Sequence, residues 1–439
     1  MRIGIDARLY SPRFGGIGRY TQELIDHLAR IDQENEYLLF FNEEDYSQYL
    51  APNARFGKRR VTAKKDTLQE QTAFVKDLHR EQLDIMHFTN LDVPVLYKKP
   101  MIVTVHNLSS IKFPESSKQG FFQKIQNSMM MSNILTNARR FITVSQTVKE
   151  EAIKLIGAPV DRIRIINKGI SDSFLSSVYD EKLLEAVKIR LGIDKPYLLT
   201  VGFWRSYSNL INLIRAFNLF RNRYNTDNQL VIVGKPDGQE DAIRQVITEL
   251  GLGSHVILVG YVDERDLPLL YRGAKLYINP ALDDGFGSTV LEAMACGLPV
   301  ISSNAGSVAE ICGSDNVVYF DAQDITNMAE AMHHVFDDEK LSKELSARGE
   351  AQAQSYTWQA TAEGTMQVYR EVAQENSASQ TNGGLVSNMT NSVTGFASSA
   401  AGTLQSKSKE ALGSVAERAN ALQNKGKEAL NKVTSRGEK

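Results

Sequence analysis

The sequence has little cysteine, no charge imbalance and no long apolar run. Its 439 residues hold two cysteines, Cys296 and Cys312. No Cys-x-x-Cys occurs, which argues against a disulfide scaffold or a zinc knuckle and for a reducing compartment. The formal net charge is -2, so bulk electrostatics offer nothing to nucleic acid, and no nucleic-acid partner is expected. No apolar stretch approaches the roughly 20 residues that cross a bilayer. The opening "MRIGIDARLY" carries Asp6 early and lacks a long apolar region, so it reads as a first strand and not as a signal peptide. A cytoplasmic protein is expected, at most peripheral at the inner face of the membrane. Metal-ligand patterns are equally scarce. No Asp-x-Asp cluster stands at a strand end, Asp337-Asp338 follows a helical pattern, and the adjacent His333 and His334 cannot face one metal. No metal and no cofactor are expected.

What is present is alternation. Short apolar runs ("RIGIDA", "EYLLFF", "IMHFT", "MIVTVH", "RFITVS", "IRIINKG") are separated by helical patterns such as "GRYTQELIDHLARI" and "SQTVKEEAIKLIG". In the latter, Val148, Ala152, Ile153 and Ile156 share a face. Strand–helix alternation implies a parallel, doubly wound sheet. It breaks over 172–195 and restarts with "YLLTVGF", "QLVIVG", "HVILVGY", "AKLYINP", "PVISS" and "NVVYF". The expected α/β architecture is therefore two Rossmann-like domains facing a cleft, 1–175 and 190–355. A terminal helix over 356–375 follows, with Trp358, Thr361, Thr365, Val368 and Val372 spaced to dock. Residues 376–439 form a tail rich in Ser, Asn, Gly and Ala, which leaves two readings open. One is disorder. The other is a weak helix with an eleven-residue period (Ala400, Ala411, Leu422, Val433), mildly cationic and able to touch an anionic membrane or a partner.

Chemistry concentrates in "LDDGFGSTVLEAMACGLPV", residues 282–300. A strand ends at Pro280, acids and glycines turn, and a helix starts near Thr289. Free N–H groups at a helix start suit a phosphate, and Gly285 and Gly287 let the backbone come close. A carboxylate suits sugar hydroxyls better than phosphate. Asp284 and Glu292 therefore make sense around a phosphate flanked by sugars, as in a nucleotide-sugar. The bland alternative for Glu292 is first-turn stabilisation of the helix dipole, about 0.3–1 kcal/mol. A second glycine turn, "GGIGRY", follows the first strand. His106 ends another strand, where the crevice of an open α/β sheet lies.

The motifs "GGIGRY", "VTVHNLSSIKFPE", "FITVSQTVKEEAI", "INKGISDSF", "YLLTVGF" and "GFGSTVLEAMACGLPVISSNAGSVAEI", in that order, resemble glycosyltransferase family 4 (glycosyl transferases group 1), retaining enzymes of GT-B architecture. The resemblance covers roughly residues 1–373. It implies that the second domain binds a nucleoside-diphosphate sugar and the first a glycan or lipid-linked acceptor. It implies that His106, Asp284 and Glu292 are catalytic, with Glu292 gripping the ribose and Asp284 and His106 contacting the donor sugar. Donor-binding positions implied are Gly15, Gly16, Arg205, Gly285, Phe286, Gly287, Ser288, Thr289, Val290 and Glu292. The implied function is transfer of a hexose of mannose or glucose type with retention, as in polysaccharide biosynthesis.

The sequence also departs from that pattern. Tyr207-Ser208-Asn209 stands where the family carries Arg-Lys-Asn, Asp284 replaces a glutamate, and Lys168-Gly169 replaces Asn-Gly. His106-Asn107 replaces His-Asp. Loss of one charge-stabilising group costs about 3–4 kcal/mol in a dry site. A rival reading is a weakened pseudo-glycosyltransferase that binds a ligand or acts as a scaffold, partly through its tail.

Overall fold

Short apolar runs without polar alternation make strands buried on both faces, the condition for a parallel sheet covered by helices. In the computed structural model, which describes residues 1–63, 67, 69–113, 121–175 and 180–393, they form two such sheets. The first takes β1 (Arg2–Ala7), β2 (Glu36–Phe41), β3 (Phe56–Arg60), β4 (Ile85–Phe88), β5 (Met101–Val105), β6 (Ala138–Thr143) and β7 (Ile163–Ile165), in the spatial order β3-β2-β1-β4-β5-β6-β7. The second takes β8 (Tyr197–Val201), β9 (Gln229–Val233), β10 (Val256–Gly260), β11 (Leu276–Asn279), β12 (Val300–Ser303) and β13 (Val318–Phe320), in the order β10-β9-β8-β11-β12-β13. In register, Ile3 lies opposite Tyr37 and Ile85, and Leu199 lies opposite Val231 and Tyr277.

Each strand order reverses once, between β1 and β4 and between β8 and β11. There the chain leaves neighbouring strands in opposite directions, which opens a crevice at their carboxyl ends. The loop after β1 and the loop after β11 carry the glycine turns read from the sequence. Both domains are thus the expected Rossmann-like type.

Strand β3, "FGKRR", was not anticipated. Lys58, Arg59 and Arg60 have no apolar period, and only Phe56 is buried. An edge strand, solvated on one side, can form from such residues because its pairing to β2 is made by backbone alone.

The terminal helix spans Trp358–Val393, longer than the 356–375 segment expected. Its first turns pack on the first sheet. Trp358, Ala362, Val368, Tyr369 and Val372 join Ile3, Ile5, Leu24 and Leu39 in one core cluster, and Thr361 and Thr365 are buried too. Tyr369 Oη lies 2.7 Å from Nδ1 of the buried His87, while Glu371 pairs with Arg140 and Arg164. The eleven-residue pattern of the tail falls largely on 394–439, outside the described residues. Among the described residues, no helix is long and apolar enough to cross a membrane.

Candidate active site

The two crevices bound one cavity of about 210 Å³. From the first domain come Gly15, Gly16 and Arg19, at the start of the helix Gly15–Ile31, and Lys168, after β7. From the second come Gly202 and Phe203 after β8, Gly234 and Lys235 after β9, and Phe286, Ser288, Thr289 and Glu292 after β11. A neighbouring cavity of about 170 Å³ holds Asn107, Tyr207, Ser208, Asp284 and Gly285. Phe203 and Thr289 line both.

The helix Ser288–Ala295 begins after Gly287, whose φ is 76°, and no side chain caps it. Its first N–H groups are therefore open to a ligand. The N–H groups just before it are taken. Asp284 Oδ1 accepts from Phe286 N at 3.0 Å and Gly287 N at 2.7 Å. Asp284 thus stabilises the glycine turn, while its enclosure raises its carboxyl above the ordinary value. Gly285 has a further reason to be glycine. A Cβ there would stand 2.1 Å from the His106 carbonyl oxygen, so it marks where the two domains touch. The close backbone approach read from the sequence is made here by protein.

Glu292 is buried. Its Oε1 takes a hydrogen bond from Arg19 Nη1, and its Oε2 takes one from Tyr271 Oη at 3.0 Å. Burial raises the Glu292 carboxyl, while Arg19 and Tyr271 pull it back down. Arg19 also donates Nε to Glu264 at 2.7 Å. One guanidinium from the first domain thus spans two carboxylates of the second. Burial works against the Arg19 charge, and the two carboxylates more than reverse this, so its pKa stands above the ordinary value. Further links join the domains. Ser145 Oγ meets Ser307 Oγ at 2.7 Å, and Glu310 accepts from Gln146 N and Thr147 N at 2.6 and 2.9 Å. Asp283 accepts from Ser109 Oγ at 2.6 Å and pairs with Lys112.

Not every implied residue converges. His106 lines neither cavity. Its Nε2 lies 2.8 Å from the Thr89 carbonyl, its ring packs edge-on against Tyr20 at 4.6 Å, and its buried Nδ1 has no hydrogen-bond partner among the described residues. Burial pulls its pKa down to about 3, so the ring is neutral. Arg205 lines neither cavity either. It is engaged by Asp237 at 2.5 Å and Tyr207 Oη at 2.6 Å. Val290 and Gly287 are buried and line neither cavity. The rest of the implied donor set borders one cavity or the other. Arg19 and Tyr271 were missed. Arg19 had a legible signal, a cation in the first turns of a helix opening on the crevice. Tyr271 had none, since it reaches Glu292 from another helix. Among the described residues, no three His, Cys, Asp or Glu side chains gather as a metal-ligand set.

Two doubly wound domains with a cavity between their switch points define the GT-B class of sugar-transferring proteins. The description "Glycosyltransferase Family 4" matches residues 14–174, and "Glycosyl transferases group 1" matches residues 184–352. The chain belongs to this glycosyltransferase family and is an enzyme. It is 26% identical to O-antigen chain mannosyltransferase B of Escherichia coli, over 81% of this chain and 96% of that protein. It is also 26% identical to the serotype-specific mannosyltransferase WbdA of Escherichia coli, over 58% of this chain but only 31% of that longer protein. Among solved structures, sucrose-phosphate synthase from Thermosynechococcus elongatus superposes with a TM-score of 0.69 at 21% identity, over 85% of this chain and 99% of that one. Anabaena HepE in complex with UDP and glucose superposes with a TM-score of 0.67 at 17% identity, over 84% and 99%. These superpositions establish the fold.

Proposed function

We propose that the protein moves a hexose, of mannose or glucose type, from a nucleoside-diphosphate sugar to a glycan or lipid-linked acceptor, with retention and without a metal. The observation that carries this reading is the uncapped helix start at Ser288, placed beside buried Glu292 in a cavity closed by both domains. The diphosphate would lie on the N–H groups of Ser288, Thr289 and Val290. Ribose hydroxyls would bind Glu292, and the sugar would approach Asp284 in the adjoining cavity. The likeness to O-antigen chain mannosyltransferase B over nearly its whole length supports mannose first.

In the reaction, the bond from the anomeric carbon to the diphosphate oxygen breaks and its electron pair leaves with the diphosphate. The acceptor oxygen bonds that carbon on the same face, and the acceptor proton passes to the departing diphosphate. Unlike a retaining glycosidase, this path needs no covalent carboxylate. The protein's part is to stabilise charge growing on the leaving group. The tail beyond 376 is proposed as a peripheral contact with an anionic membrane.

The test is calorimetric binding of GDP, UDP, GDP-mannose and UDP-glucose, with nucleotide release followed on the same samples. One diphosphate sugar should bind and be turned over. Glu292→Ala should lower turnover by about 100-fold or more with unchanged circular dichroism. Folded protein that binds none of the four would overturn the reading.

A further inference from the structure

Lys168 is 8% exposed, and its side chain borders the larger cavity. Its ammonium has no hydrogen-bond or ion-pair partner among the described residues; it lies over the Phe286 ring, 5.1 Å from Nζ to centroid. Of the other cations of this interface, Lys235 borders the same cavity but is exposed to solvent, and Arg19 and Lys112 are committed. Arg19 serves Glu292 and Glu264, and Lys112 serves Asp283 and Glu151. An enclosed cation without a partner is costly, and a chain keeps one where an anion will arrive. On the facing wall of the same cavity is the uncapped start of the helix Ser288–Ala295. Two independent features, one from each domain, therefore ask for negative charge in one place.

We propose that Lys168 binds the diphosphate of the donor and stabilises it as it leaves. This rests on the donor-site reading above and names the cation that reading lacks, since Tyr207 and Ser208 carry no charge and Arg205 is engaged elsewhere. Lys168 remains protonated throughout, and the acceptor proton goes to the diphosphate. The charged and titratable groups facing it are Arg19 from the first helix, His106 after β5, Asp284 from the glycine turn and Glu292 from the helix beyond it. Burial pulls Lys168 down to about 8, Asp284 and Glu292 resist, and Arg19 adds to the fall. Nucleoside diphosphate affinity should then fall above about pH 8 by up to about tenfold per unit, because the free protein loses the charge first.

The experiment is calorimetry of the full chain, Lys168→Met and Lys168→Arg with GDP, UDP, guanosine and uridine, at about pH 7 and about pH 9.5. Lys168→Met should weaken the preferred diphosphate by about tenfold or more, leave its nucleoside unchanged and flatten the pH dependence. Lys168→Arg should bind within a few-fold and keep its affinity at the higher pH. Unchanged diphosphate binding by Lys168→Met, or equal losses for diphosphate and nucleoside, would overturn the assignment while leaving the donor site standing. If Lys168→Met does not fold, a decline of Lys168→Arg in parallel with the wild type would overturn it. Wild-type protein that binds neither nucleotide would overturn the donor site and this assignment together.

Discussion

Glu292, proposed to bind the donor, already has a part in the fold. In the free protein its two oxygens are occupied by Arg19 and Tyr271, so a buried carboxylate is satisfied without ligand. On the proposed reading, a ribose would share or displace one of these donors. Removing one partner of a buried pair leaves the other uncompensated. Arg19→Met should therefore destabilise the protein by about 3 kcal/mol, read by urea unfolding. Glu264→Gln, at the half-exposed end of the same guanidinium, should cost less than about 1 kcal/mol. Equal costs would show that Arg19 acts through Glu264 and that Glu292 is satisfied otherwise. The sequence offered Glu292 because an acid in the first turns of a helix has a local meaning. Tyr271 could not be read, because its bond to Glu292 exists only once two helices are packed.

At the scale of elements, the docked terminal helix depends on a buried neutral histidine. His87 accepts or donates between Tyr369 Oη at 2.7 Å and Thr104 Oγ1 at 2.8 Å, and burial pulls its pKa to about 3. The folded value lies below the unfolded one of about 6.5. The associated stability is therefore present above about pH 6.5 and is lost as pH falls towards about 3, at up to about 1.4 kcal/mol per unit for one proton. His87→Gln should unfold with a shallower acid dependence over that window than the wild type, whatever its stability at neutral pH. Tyr369→Phe should cost about 1–3 kcal/mol through the unpaired ring nitrogen it leaves. The glycine turn is the other sensitive element. Gly285→Ala would drive a methyl into the His106 carbonyl, so it should weaken donor binding and lower stability by about 1–3 kcal/mol. An unchanged melting temperature would show that the turn can yield without moving its neighbours.

For the whole molecule, the decisive arrangement is that two switch points face each other. Neither domain encloses the cavity alone: Arg19 and Lys168 come from one, and Ser288 and Glu292 from the other. Transfer activity should survive EDTA, measured by nucleotide release, because the cation proposed for the diphosphate, Lys168, belongs to the chain. Strong inhibition restored by Mg²⁺ or Mn²⁺ would contradict that. Removal of 394–439 should leave release unchanged with a soluble acceptor and lower co-sedimentation with anionic vesicles. Equal sedimentation of both forms would end the membrane proposal.

The sequence by itself determined the two-sheet α/β class, the glycine turns and the helix that carries Glu292. These follow from local signals: apolar runs too uniform for exposed strands, helical periodicity, and glycines between strand and helix. Strand β3 escaped because an edge strand forms by backbone pairing and leaves no apolar trace. The tertiary structure alone decided which polar groups meet. It turned His106 towards Thr89 and Tyr20, engaged Arg205 with Asp237, gave Asp284 to its own turn, and left Lys168 without a partner among the described residues, beside an open helix start. Such pairings join residues far apart in the chain, and their energies depend on burial and distance. No spacing in the sequence records these quantities.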